Sequence, residues 1–154
     1  RERQDPGAGA MTVDRELVTR KLLLITHDLD AAALLATRPL STFLESRVDQ
    51  AVAERLLERM IGRMIDVNYH LITEGGQPPP PDYHASFLKL AELRIVDPEF
   101  ARRIARCAGL RNRLVHDYEE IDPRKVFESL QAATDDIVAY VRSVEAYLDG
   151  LPGC

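Results

Sequence analysis

The sequence predicts an all-α protein, an up-and-down helical bundle of four main helices plus one short helix. Three observations carry that prediction. Apolar residues recur three and four positions apart over stretches much longer than a typical strand. Strand-like alternation of useful length is missing, and so is any internal repeat. Two Asp-Pro pairs, Asp97-Pro98 and Asp122-Pro123, supply a capping carboxylate followed by a proline suited to the first helical position. At 154 residues the chain is long enough for one domain with a sizeable core.

Taken in order, residues 1–10 precede the first Met and read as a disordered tag or N-terminal extension, with Pro6, Gly7 and Gly9. The helical domain is expected over 11–150, with 151–154 as a flexible C-terminus after Gly150. Thr12 to Ala36 form the first helix, capped by Thr12 or Asp14. Leu17, Leu24, Ala31 and Leu35 make one stripe, widened by Leu22, Ile25, Leu29 and Ala32. His27 falls within this helix as a structural or surface residue. Pro39 interrupts, and Ser41 or Thr42 begins a connection.

Ser46 to Thr73 form a long second helix. Its stripe is Val48, Val52, Leu56, Met60, Ile61, Met64, Val67 and Leu71, with the methionines as packing residues. Asp66, Asn68 and His70 interrupt the pattern near its end. Gly75 or Gly76 stops the helix, and Pro78 to Pro81 form a stiff connector. Tyr83 to Leu93 make the short third helix through Phe87, Leu88, Leu90 and Ala91. The fourth starts at Asp97-Pro98 and buries Phe100, Ile104, Cys107, Ala108 and the apolar residues from Leu110 to Val115. The fifth starts at Asp122-Pro123 and buries Val126, Leu130, Ala133, Ile137, Val141, Val144 and Leu148.

The composition, 45% hydrophobic and 29% charged, is that of an ordinary globular chain. The longest apolar runs, such as Leu22 to Ile25, are far too short to span a membrane, and no signal peptide is visible. Cys107 and Cys154 form no metal-ligand pattern, so a cytoplasmic location is expected. No Glu stands three residues before any of the four histidines, as a di-iron bundle requires. A zinc-protease motif, a phosphate-binding glycine loop and a nucleophile elbow are equally missing, so no metal or cofactor is expected.

One stretch stands out. The chain carries a formal net charge of -5, yet Arg102 to His116 contains no acidic residue. Within it, Arg111-Asn112-Arg113-Leu114-Val115-His116-Asp117-Tyr118 gathers two cations, an amide, an imidazole and a phenol. A local cationic patch on an anionic protein points to where phosphate binds. Asn112 and His116 are four apart and share a helical face, so the amide can orient the ring. Arg111 and His116 are five apart, roughly 140° around a straight helix, so they do not meet there. A bend, a shared groove or a second copy of the chain brings them together. Histidine can move a proton at neutral pH and a guanidinium can stabilise charge on phosphate oxygens.

The pattern Arg111-Asn112-x-x-x-His116-x-Tyr118, with its continuation Glu119-Glu120-Ile121-Asp122-Pro123, resembles the signature of HepT-like toxins in the HEPN superfamily of all-α ribonucleases. The resemblance covers roughly Met11 to Leu148. It implies metal-independent RNA cleavage at a homodimer groove, leaving a 2′,3′-cyclic phosphate, with Arg111, His116 and Asn112 as the catalytic set. Arg106 and Arg113 are expected to bind the RNA. The resemblance also implies a minimal nucleotidyltransferase antitoxin as partner, which attaches AMP to Tyr118. A non-catalytic nucleotide- or partner-binding subunit of a nucleotidyltransferase complex is the alternative, and a site-free structural dimer is a third reading. Loss of RNA cleavage on removing His116 separates the first from the other two.

Overall fold

The structure, a computed structural model, describes residues 13–116 and 121–152. Among the described residues seven helices follow one another: α1 Arg15–Ala36, α2 Leu40–Glu45, α3 Arg47–Glu74, α4 Tyr83–Glu92, α5 Pro98–Ile104, α6 Arg106–His116 and α7 Pro123–Gly150. The described residues contain no strand, as the all-α reading requires. None of these helices is long and apolar enough to cross a membrane. The segment 1–10, Thr12 as a cap, Tyr118 and Cys154 lie outside the described residues.

Polar contacts fix the directions of the long helices. Down the α1–α3 seam, the Asp14 backbone N–H donates to His70 Nε2 at 2.9 Å, and Lys21 pairs with Asp66 at 3.1 Å. Asp28 pairs with Arg63 at 2.8 Å and Arg38 with Asp49 at 2.6 Å. As the numbers rise on α1 they fall on α3, so the two run antiparallel. α7 also opposes α1. Near its C-terminal end, Arg15 donates to the carbonyls of Leu148, Leu151 and Pro152, each at 2.8 Å. Those of Leu151 and Pro152 lie past the end of the helix, where it offers no partners of its own. Leu151 and Pro152, expected in a flexible tail, are held here.

α3 is central and touches α1, α2, α4, α6 and α7. Its Met60, Ile61, Met64, Leu71 and Ile72 are fully buried. A buried polar network crosses the core: Tyr140 O–H lies 2.6 Å from Asn68 Oδ1 and 3.1 Å from the Met64 carbonyl, and Asn68 Nδ2 donates to Ser86 Oγ at 3.0 Å. Burial pushes the Tyr140 hydroxyl well above the usual phenol range. Ser86 in turn donates to the Tyr83 carbonyl at 2.7 Å, tying the start of α4 to α3 and α7.

Several boundaries differ from the sequence reading. The expected connection after Pro39 is a short helix, α2, because Phe43 plugs the core and packs on Phe127 with ring centroids 5.0 Å apart. The expected fourth helix divides at Ala105. There the Ala108 N–H reaches back three residues to the Ala105 carbonyl at 3.0 Å. On α1 the widening set, with Val18, is the true core face, whereas Leu24 and Ala31 are exposed. On α3, Val48 is 72% and Val52 44% exposed, because the core face there runs through Ala53 and Leu57.

The two turns beside α4 share one geometry. After α3, Gly76 N–H bonds to the Thr73 carbonyl and Gln77 N–H to that of Ile72, with Gly76 at φ 90°. After α4, Arg94 N–H bonds to the Ala91 carbonyl and Ile95 N–H to that of Leu90, with Arg94 at φ 63°. Both are Schellman caps, and the second places an arginine where glycine is favoured. The buried stripe expected on α7, from Val126 to Leu148, is buried at every named position.

Candidate functional site

α6 carries the cationic stretch, and its backbone stays helical through His116. Arg111 is half-buried. Its guanidinium lies over the Tyr83 ring, 5.2 Å from the centroid, a cation–π contact that orients it. Tyr83 is itself held in place. Asp82 caps α4 by accepting from Ala85 N–H at 2.7 Å. Tyr69 meets the Tyr83 ring edge-on at 6.2 Å and donates to the Pro80 carbonyl at 3.3 Å. The proline connector, Asp82 and the Asn68–Ser86 pair therefore combine to seat the ring under Arg111.

Arg111 and Tyr83 line a groove of about 310 Å³ between α3, α4 and α6, together with Glu58, Arg59, Arg63 and Asp66. Arg59 and Arg63 are one turn apart on α3, and both bind the same carboxylate oxygen of Asp28, at 3.2 and 2.8 Å. Asp28 is only 7% exposed. Glu58 pairs with Arg55 at 3.5 Å and Asp66 with Lys21 at 3.1 Å. Three arginines and two carboxylates thus line the groove, and with their salt-bridge partners Lys21, Arg55 and Asp28 the set holds five cations against three carboxylates, a positive excess on a chain that is negative overall.

The remaining site candidates lie elsewhere. His116 and Asn112 are both exposed, and among the described residues no hydrogen bond joins them. Arg113 lines a separate groove of about 630 Å³ with Leu110, Ile121, Asp122 and Lys125. Arg106 is exposed. Arg111 and His116, five residues apart on an unbroken helix, project about 140° apart. Tyr118 lies outside the described residues.

Of the three polar residues near the end of α3, only Asp66 reaches the Arg111 groove. Asn68 is in the core network and His70 accepts from the start of α1. Reading the sequence missed Arg59, Arg63, Asp28 and Tyr83. The one available signal was the four-residue spacing of Arg59 and Arg63 on a helix whose other face is apolar. Cys107, one turn before Arg111, is partly buried and packs against the core. Burial first, and the Asp136 carboxylate second, push its thiol up to about 12.

Comparison with known proteins bears on what this arrangement does. A family model described as ribonuclease HepT-like matches residues 25–144. A tRNA nuclease HepT from Aphanizomenon flos-aquae (strain 2012/KM1/D3) is 33% identical over 136 residues, spanning 88% of this chain and 92% of that protein. Two solved structures share the fold at lower identity. One is a toxin–antitoxin with AMP-PNP, with a TM-score of 0.78, 21% identity and coverage of 85% of this chain and 98% of that one. The other is a tri-AMPylated HEPN toxin of Shewanella oneidensis in complex with an MNT antitoxin, with a TM-score of 0.76, 22% identity and coverage of 84% and 96%.

Proposed function

The chain belongs to the ribonuclease HepT-like family, and from that premise we propose that it is the toxin of a toxin–antitoxin pair, an endoribonuclease that needs no metal. The observation that carries the chemistry is Arg111. It is half-buried, seated on an aromatic ring and set in a positive groove, one and a half turns before an exposed histidine. A fixed guanidinium of this kind suits a phosphodiester whose charge grows in the transition state.

RNA brings its own nucleophile, so the protein has only protons and charge to manage. His116 takes the proton from the 2′-hydroxyl as that oxygen attacks phosphorus, or returns one to the 5′-oxygen as its bond to phosphorus breaks. Arg111 stabilises the pentacoordinate phosphorane, and Asn112 orients the imidazole or a phosphate oxygen. The products are a 2′,3′-cyclic phosphate and a free 5′-hydroxyl. Because Arg111 and His116 diverge on one helix, two copies related by a two-fold axis form the working groove. Each copy then supplies one histidine, giving a base and an acid together. Arg106 and Arg113 flank this groove and take the RNA backbone.

The partner is a minimal nucleotidyltransferase that transfers AMP from ATP to the Tyr118 hydroxyl, releasing pyrophosphate. The added phosphate, two residues beyond His116, competes with RNA for the same cations. The AMPylated toxin and its antitoxin among the structural neighbours support this reading. The test is cleavage of tRNA in EDTA by the parent and by His116→Ala, with end-group analysis of the products. Metal-free cleavage that ends in a cyclic phosphate and disappears in His116→Ala is expected. Unchanged cleavage in His116→Ala overturns the assignment. Intact-mass analysis with the cognate nucleotidyltransferase, ATP and Mg²⁺ should show an AMP adduct on Tyr118, and a modified protein that still cleaves sinks the regulatory half.

A further inference from the structure

We propose that Arg59 and Arg63, held by Asp28, form a second phosphate subsite that takes the RNA backbone next to the phosphate at Arg111. This rests on RNA being the substrate. The two arginines are four apart on α3, so their side chains lie on one face within about 6 Å. Arg63 donates to one oxygen of a nearly buried carboxylate on α1, and Arg59 forms an ion pair with the same oxygen. A clamp joining α1 to α3 needs one arginine, and the second adds a positive charge that Asp28 does not neutralise. Each guanidinium carries five N–H donors, and the Asp28 contacts use few of them. Their side chains remain 41% and 21% exposed, toward a groove that also holds Arg111.

That arrangement is suited to a phosphate diester. Asp28 fixes two flexible side chains in advance, so little further ordering is needed when an anion arrives. The groove's 310 Å³ lies at the small end of ligand clefts, which fits one nucleotide of a single strand rather than a duplex. Arg111 on Tyr83 would hold the scissile phosphate and the Arg59–Arg63 pair its neighbour, setting the register of the strand.

The test uses the full chain, a non-cleavable 2′-O-methyl oligonucleotide, and Arg59→Gln, Arg63→Gln and the double variant. Glutamine removes the charge but keeps a donor for Asp28, and thermal unfolding by circular dichroism checks that each variant is folded. Arg38→Ala, on the surface pair with Asp49 away from the groove, controls for net charge. For single strands the slope of log K against log salt falls by about 0.7 for each phosphate that the protein no longer neutralises. The double variant should lose about that much slope and bind roughly tenfold more weakly. In cleavage, KM should rise while kcat changes little. Arg38→Ala should match the parent. If the double variant keeps the parent's slope and KM while His116→Ala abolishes cleavage, the subsite is wrong and the ribonuclease reading stands. If the variants lose affinity for free AMP but not for the strand, the groove takes a mononucleotide and the proposal fails. A parent that neither binds nor cuts RNA overturns both readings.

Discussion

Arg111 and His116 stand on the same helix, yet one is built into the bundle and the other faces solvent. Arg111 rests on Tyr83 in a groove to which α3, α4 and α6 all contribute. His116 is the last residue of α6 and exposed. The difference is physical. A charge-stabilising group works best when its orientation is fixed before the substrate arrives, whereas a proton carrier has to reach atoms that arrive with the substrate. We read the pair as two halves of one site, completed between copies.

The sharpest way to break this comparison is mutation of each half. Arg111→Ala and His116→Ala should each lower kcat for RNA cleavage by about 100- to 1,000-fold. Mixing the two inactive proteins under conditions that exchange subunits should then restore part of the activity, since the shared groove of each mixed dimer regains one Arg111 and one His116, from opposite copies. A mixture as inactive as its components would place both residues in one chain's site, or remove the second copy altogether.

A smaller effect is expected at the seat of Arg111. Tyr83→Ala removes the ring and should cost about 1 kcal/mol of transition-state stabilisation, roughly five- to tenfold in kcat. Tyr83→Phe keeps the aromatic face and should stay near the parent. Equal losses in both would point to the hydroxyl and dissolve the cation–π account. His116 has no such seat, so the same substitution should leave rescue of His116→Ala by added imidazole unchanged.

Smallest of all is a change that touches neither half. Arg94 carries φ 63° in the cap that closes α4. Arg94→Gly should relieve a left-handed backbone and raise stability by up to about 1 kcal/mol in urea unfolding, with kcat unaltered. A fall in stability would show that the arginine side chain contributes more than its backbone costs.

The parts of the molecule that were legible in the sequence are those governed by local rules. α7 announces its start with Asp122-Pro123 and its buried face with an unbroken 3.6-residue stripe. Residue periodicity could not show that Phe43 fills a hole beside Phe127, since that depends on an element more than eighty positions away. Nor could it find the break at Ala105, which has neither glycine nor proline within three residues to mark it. The same division holds at the site. The proposed residues Arg111, Asn112 and His116 fall within six positions and came from one motif. Asp28, Arg59, Arg63 and Tyr83 come from three helices, and in the sequence Arg59 and Arg63 look like any solvated helix face. Val48 and Val52 err in the opposite direction, apolar by type but outside the core.

Cys107 gives the helix that bears the motif a built-in clock. Its thiol, pushed up to about 12, is almost wholly uncharged at neutral pH, and only the thiolate attacks an alkylating reagent. In a Cys154→Ser background, labelling of Cys107 should therefore report how often α6 comes free. A rate tracking global unfolding in mild urea would mean that α6 opens only with the whole bundle. A faster, urea-insensitive rate would mean that the stretch from Arg106 to His116 lifts away on its own. The same raised thiol makes folding sensitive to base. The unfolded chain ionises Cys107 near pH 8.5 and the folded chain near 12. Its contribution to stability is thus whole below pH 8.5 and lost progressively as the pH rises between those values. Cys107→Ala should flatten that alkaline decline in urea midpoint.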